Sequence, residues 1–106
     1  MPRYLFAGSY SPQGSKGVLA GGGTARRAAI EQMVSDLGGR VETFDFAFGS
    51  DDVYTIVELP DARTATAIAL TVNGSGAINL RTVVLMTPEE VDAAGQVQPN
   101  YRPPGS

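Results

Sequence analysis

An α+β fold of the ferredoxin-like kind, with element order βαββαβ, is predicted by three features of the chain. Four segments rich in aromatic and β-branched residues read as strands, two amphipathic segments between them read as helices, and Gly or Pro marks most junctions. The length of 106 residues is that of one domain, placed at 1–95 and followed by an irregular tail over 96–106. Right-handed crossovers arrange the four antiparallel strands in the order 4-1-3-2.

Each element has its own signal. Residues 3–10, RYLFAGSY, are aromatic-rich and bounded by Pro2 and Ser11-Pro12, as a strand requires. Residues 11–23 are rich in Gly and Ser, with a short helical turn over 16–20 that Gly21-Gly22-Gly23 ends. Thr24 is placed to cap a helix whose buried stripe is Ile30, Met33, Val34 and Leu37, and Gly38-Gly39 stops it. The strands 40–48 and 52–59 flank a short hairpin at Gly49-Ser50-Asp51. Asp61 caps a helix over 62–73 with Ala65, Ile68, Ala69 and Val72 inward, and 77–86 is the fourth strand. Thr87-Pro88-Glu89-Glu90 combines an N-cap, a Pro at the first helical position and a capping-box Glu, so a short helix runs to about Ala94.

Composition narrows the chemistry. A net charge of −3, from 11 acidic and 8 basic residues, offers no basic field for nucleic acid or an anionic membrane. There is no Cys and no His, which removes disulfides, thiolate nucleophiles, the commonest metal ligands and the usual general base. No cofactor and no metal site is expected. The N-terminus has neither a charged leader nor a long apolar run, so the expected setting is the cytoplasm.

Side chains alternate along a strand, so residue parity sorts the two sheet faces. Even positions, among them Tyr4, Phe6, Phe44, Phe46, Tyr54, Ile56 and Leu80, form the heavier set and are assigned to the helix-covered face. Odd positions, among them Val41, Val53, Val57, Val83 and Leu85, are too apolar to be left in water. A second copy packed sheet to sheet covers them, so a homodimer or an assembly of dimers is expected.

The stretches YLFAGSYSPQGSKG (4–17), FAFGSDDVYTIVELPD (46–61), LRTVVLMTPEEVDAA (80–94) and NYRPPG (100–105) resemble the GYD-domain family of small bacterial proteins. The family is similar in pattern to the dimeric α+β barrel superfamily, whose members pair ferredoxin-like sheets face to face. The resemblance implies that fold and assembly, and it permits a small-molecule-binding protein or a cofactor-free enzyme. It carries no established activity for most members. Gly49 and Asp52 fit the signature, and Asp51 stands where the family has its Tyr, so no role of that Tyr transfers.

Four candidate site features remain. Asp51 and Asp52 are adjacent carboxylates, but a hairpin turn favours the same residues and neighbours on an extended chain point apart. Gly21-Gly22-Gly23-Thr24 precedes a helix with Arg26 and Arg27, an anion-binding arrangement that reads more simply as a hinge and cap. Tyr10 and Lys16, the one Lys of the chain, form a candidate acid–base pair. Asp45 and Arg81 are mid-strand charges on the odd face. Each needs a partner there: the other, across a dimer, or a small anionic or aromatic ligand on Arg81. Besides a binding protein or enzyme, a non-catalytic regulatory or assembly module is the alternative reading. Its mark would be a dry, filled interface rather than an enclosed pocket.

Overall fold

The computed structural model describes residues 1–105. The chain runs β1 (Arg3–Tyr10), α1 (Pro12–Gly21), α2 (Gly23–Asp36), β2 (Arg40–Phe46), β3 (Val53–Glu58), α3 (Ala62–Gly74), β4 (Ile78–Leu85) and α4 (Pro88–Ala94). The four strands make one open antiparallel sheet in the order β2-β3-β1-β4, which counted from the β4 edge reads 4-1-3-2.

The first departure from expectation is α1, a ten-residue helix where a short turn over 16–20 was expected. Ser11 caps it, its Oγ accepting from Gly14 N at 3.1 Å, and Pro12 stands in the first turn, where its missing N–H costs no intrahelical bond. Gly22, at φ 87°, separates α1 from α2 and serves as the N-cap in place of the expected Thr24. Only Gly adopts that backbone angle at little cost.

Leu59 and Val57 are fully buried, and with Tyr4, Phe6, Val34, Ala65 and Ile68 they form the core between one sheet face and the helices α2 and α3. This overturns the expected facing of β3. Tyr4 pairs with Val57, Phe6 with Thr55 and Gly8 with Val53, and directly paired residues share a face. Val53, Thr55 and Val57 therefore lie under the helices, and Tyr54, Ile56 and Glu58 turn to the open face. In β2 the register shifts between Val41 and Thr43, which brings Val41 beside Val57 on the helix side too. The displaced Glu42 receives the Arg3 guanidinium, with Nη2 to Oε2 at 3.0 Å. The open face thus keeps Leu5, Ala7, Ile56, Val83 and Leu85 as its apolar strip, rimmed by the ion pairs Arg3–Glu42, Arg40–Glu58 and Asp51–Arg81.

Beyond β4 the chain leaves this body. α4 carries the expected capping box between Thr87 and Glu90, yet none of its residues is buried. The radius of gyration is 16.7 Å, against about 13 Å for a compact chain of this length. The principal extents are 56, 32 and 23 Å, and residues 88–105 are all exposed. No helix among the described residues is long and apolar enough to cross a membrane.

Candidate functional site

The end of the sheet at which β1 finishes and β3 begins collects the polar groups of interest. The hairpin loop after β2 is closed by Ala47 N donating to Asp52 O at 2.8 Å, and Asp52 N donates to Gly8 O at 2.7 Å. These bonds seat the loop against β1 and send the two adjacent carboxylates in different directions. Asp52 Oδ2 accepts from Tyr10 N at 2.9 Å. Asp51 Oδ2 accepts from Arg81 Nη2 at 2.9 Å and from the Tyr54 hydroxyl at 3.2 Å. The pair is therefore a turn with two structural acceptors, and no cluster of acidic side chains fit for a metal ion occurs among the described residues.

Hydrogen bonding from Arg81 holds the Asp51 carboxyl below its ordinary value, with Tyr54 and Ser9 adding to the effect against partial burial. Arg81 was expected to need an anion from a second copy or a ligand. Within the chain it has one, Asp51, supplied by the hairpin loop. Asp45 sits on the same face, opposite Tyr54 in register, and is exposed. No intrachain bond joins it to Arg81.

On the helix side of the same end lies a cleft of about 530 Å³. Val18 and Leu19 of α1 form one wall and Phe46 and Phe48 of the hairpin form the other, with Tyr10 and Asp52 as polar groups between them. Gly23 lets the helical elbow come this close, since a Cβ there would meet the Phe46 ring at 2.9 Å. Phe48 is fully exposed and Leu19 nearly so, an arrangement that leaves large apolar area in water. Tyr10 also borders a narrow inner cavity of about 40 Å³ between sheet and helices, whose one charged lining group is Arg26.

Burial pushes the Tyr10 hydroxyl above its ordinary value, and the charge and hydrogen bonding of Arg26 work against that rise. The cation beside Tyr10 is thus Arg26, not the expected Lys16, which is exposed on α1. The signal was present, since Arg26 lies in the first turn after the glycine elbow. Arg26 thus lies both at the glycine elbow and beside Tyr10.

A small open-faced α+β protein, with an apolar cleft beside a half-buried tyrosine, is the class that fold and site define. The chain belongs to the GYD-domain family, whose model matches residues 4–94. No curated protein and no solved structure matches it significantly.

Proposed function

We propose that the protein is a cytoplasmic small-molecule-binding protein that works as a dimer of ferredoxin-like subunits, paired through their open sheet faces as in a dimeric α+β barrel. The observation that carries the binding reading is the cleft beside Tyr10. Its volume of about 530 Å³ lies within the range of small-molecule sites, whereas the inner cavity of about 40 Å³ has room for little more than a water molecule. Its walls are apolar and aromatic, and its few polar side chains are Tyr10, Ser15 and Asp52, the usual composition of a ligand site. The ligand class is a flat, largely apolar compound with an oxygen that accepts from Tyr10. A cofactor-free reaction there would use the Tyr10 hydroxyl, kept protonated at neutral pH, as hydrogen-bond or proton donor.

Pairing of the open faces is supported by Leu5, Ile56, Val83 and Leu85, which no element of the chain covers as α2 and α3 cover the core. Arg81 is 61% exposed beyond its bond to Asp51 and keeps N–H donors free for Asp45 of a second copy or for a carboxylate-bearing ligand. Titration with the fluorescent apolar anion 1-anilinonaphthalene-8-sulfonate tests the cleft. Saturable binding by the wild type and its loss in Val18→Trp, which fills the cleft, are expected. Equal dye binding by the two proteins contradicts the reading.

A further inference from the structure

The segment that follows α4 is exposed and outside any hydrogen-bonded ladder. Its residues nevertheless alternate strictly: Val97, Pro99, Tyr101 and Pro103 are interleaved with Gln98, Asn100 and Arg102. Such a period of two is the signature of a half-buried strand, and a solvated tail has no physical need of it. The prolines obey the same rule. Both Pro99 and Pro103 fall on the apolar parity, so the N–H groups of Gln98, Asn100 and Arg102 all point to one side and the missing donors all lie on the other. Proline is tolerated in that arrangement on an edge strand, with its donor-less side turned to solvent.

A receptor for such a strand exists in the fold. β4 is an edge strand, and at Leu80 its outward backbone groups are already taken by a side chain. Leu80 N donates to Asn73 Oδ1 at 2.6 Å, and Asn73 Nδ2 donates to Leu80 O at 3.3 Å. Thr82 and Val84 share the orientation of Leu80, because successive residues of a strand alternate. Both are exposed, Val84 by 66%. The other edge, β2, carries Arg40, Glu42 and Asp45 in seven residues, which is how natural sheets block an edge. In the eight residues of β4, Arg81 is the one charge.

We propose that residues 97–103 of one copy add to the β4 edge of a second copy, pairing with Thr82 and Val84 as a fifth strand. The proposal rests on the face-to-face dimer and names a contact that completes it. One parity satisfies two conditions at once. If Gln98 and Asn100 turn their backbone groups toward Thr82 and Val84, then Val97, Pro99 and Tyr101 share the face of Val83 and Leu85. The apolar strip of the open face then widens across the β4 edge, and the prolines face outward. The strand comes from another copy because the chain's own residues 97–103 are exposed and pair with no strand of its own sheet.

Hydrogen exchange and sedimentation equilibrium on the full chain test this. At concentrations where the protein is dimeric, the amides of Thr82 and Val84 are expected to exchange at least tenfold more slowly in the wild type than in Asn100→Pro. Gln98→Pro and Asn100→Pro, each of which removes an inward donor, are expected to raise the dimer dissociation constant about tenfold, while Gln98→Ala and Asn100→Ala leave it within about threefold. These positions lie outside every helix and strand, so the substitutions leave the body folded. A dimer whose Thr82 and Val84 amides exchange freely overturns the tail contact and leaves the face-to-face reading standing. A monomer at every concentration overturns both. Protection of the two amides that persists on dilution to monomer overturns the second copy as its source, because the chain's own tail then supplies the strand.

Discussion

Asp51 and Arg81 meet at 2.9 Å on the open face of the sheet, which ties the hairpin loop to the far edge strand. Between them in the sheet lies Ala7, whose register partners are Tyr54 on one side and Arg81 on the other. Tyr54 and Arg81 both reach Asp51 and close over Ala7, which is fully buried although no helix covers it. A small residue in β1 thus lets two long side chains from its neighbours converge on one carboxylate. Asp51 is the acceptor that holds this cluster together.

Replacing that acceptor is expected to make stability less sensitive to acid. The folded state depresses the Asp51 carboxyl below its unfolded value, chiefly through the bond from Arg81. A depressed carboxyl stabilises the fold at pH values above its unfolded pKa of about 3.9, and that stabilisation is lost as pH falls through the lower folded value. Urea unfolding between pH 7 and pH 2 checks this. Asp51→Asn should be less stable than the wild type at pH 7, and the difference should shrink in the acid range. A difference that stays constant with pH would remove Asp51 from the account.

Two glycines of α1 and the α2–β2 junction should respond to alanine with opposite signs. A Cβ at Gly39 would press on Glu58 O and stand 2.9 Å from Leu59 Cδ2, inside the packed core. Gly39→Ala should therefore cost about 1–3 kcal/mol, the range for overpacking. Gly17 lies within α1 and would meet nothing within 4 Å. Gly17→Ala should stabilise by about 0.5–1 kcal/mol through helix propensity. Thermal and urea denaturation of the two variants measure both.

Loss of the α4 cap should be felt locally and not globally. Thr87 Oγ1 accepts from Glu90 N at 3.1 Å and the Glu90 carboxylate accepts from Thr87 N at 3.1 Å. Thr87→Ala removes about 1 kcal/mol of helix stability. Because α4 buries none of its residues, the expected result is faster amide exchange over 88–94 with an unchanged melting temperature for the sheet. A lowered melting temperature would mean that α4 is integral to the core.

The strands and the long helices were legible because each carries period and punctuation together, as Asp61 does before α3 and Thr87-Pro88 before α4. Ser11-Pro12 has the same cap-and-proline form as Thr87-Pro88, but it also bounds β1, and Gly14 and Gly17 interrupt the helical pattern behind it. Sheet facing was harder. Parity within one strand is local, but parity between strands depends on loop lengths and bulges, and the register shift near Glu42 has no mark of its own. For β3 a clue was available: Val53, Thr55, Val57 and Leu59 are without charge, whereas the opposite set includes Glu58. The partners of Tyr10 and Arg81 were illegible for a different reason. Arg26 and Asp51 reach them only through the docking of the elbow and of the hairpin, which are tertiary events.

Open-face pairing makes its own demand on Ile56, which sits mid-strand on that face opposite Leu5 in the register of β1 and β3. Sedimentation equilibrium at micromolar concentration should give twice the 11.1 kDa chain mass for the wild type and a single chain mass for Ile56→Lys. A substituted protein that still sediments as a dimer would place the interface elsewhere.

The most direct measurement is native mass spectrometry of the wild type and of Val18→Trp, both purified from the source organism. A cleft of about 530 Å³ walled by Val18, Leu19, Phe46 and Phe48 is expected to retain a small organic molecule through gentle purification. The wild type should then show a dimer carrying a reproducible adduct of small-molecule mass, and Val18→Trp should show the dimer without it. A wild-type spectrum free of any adduct, or an adduct that survives in Val18→Trp, would contradict ligand binding at the cleft beside Tyr10.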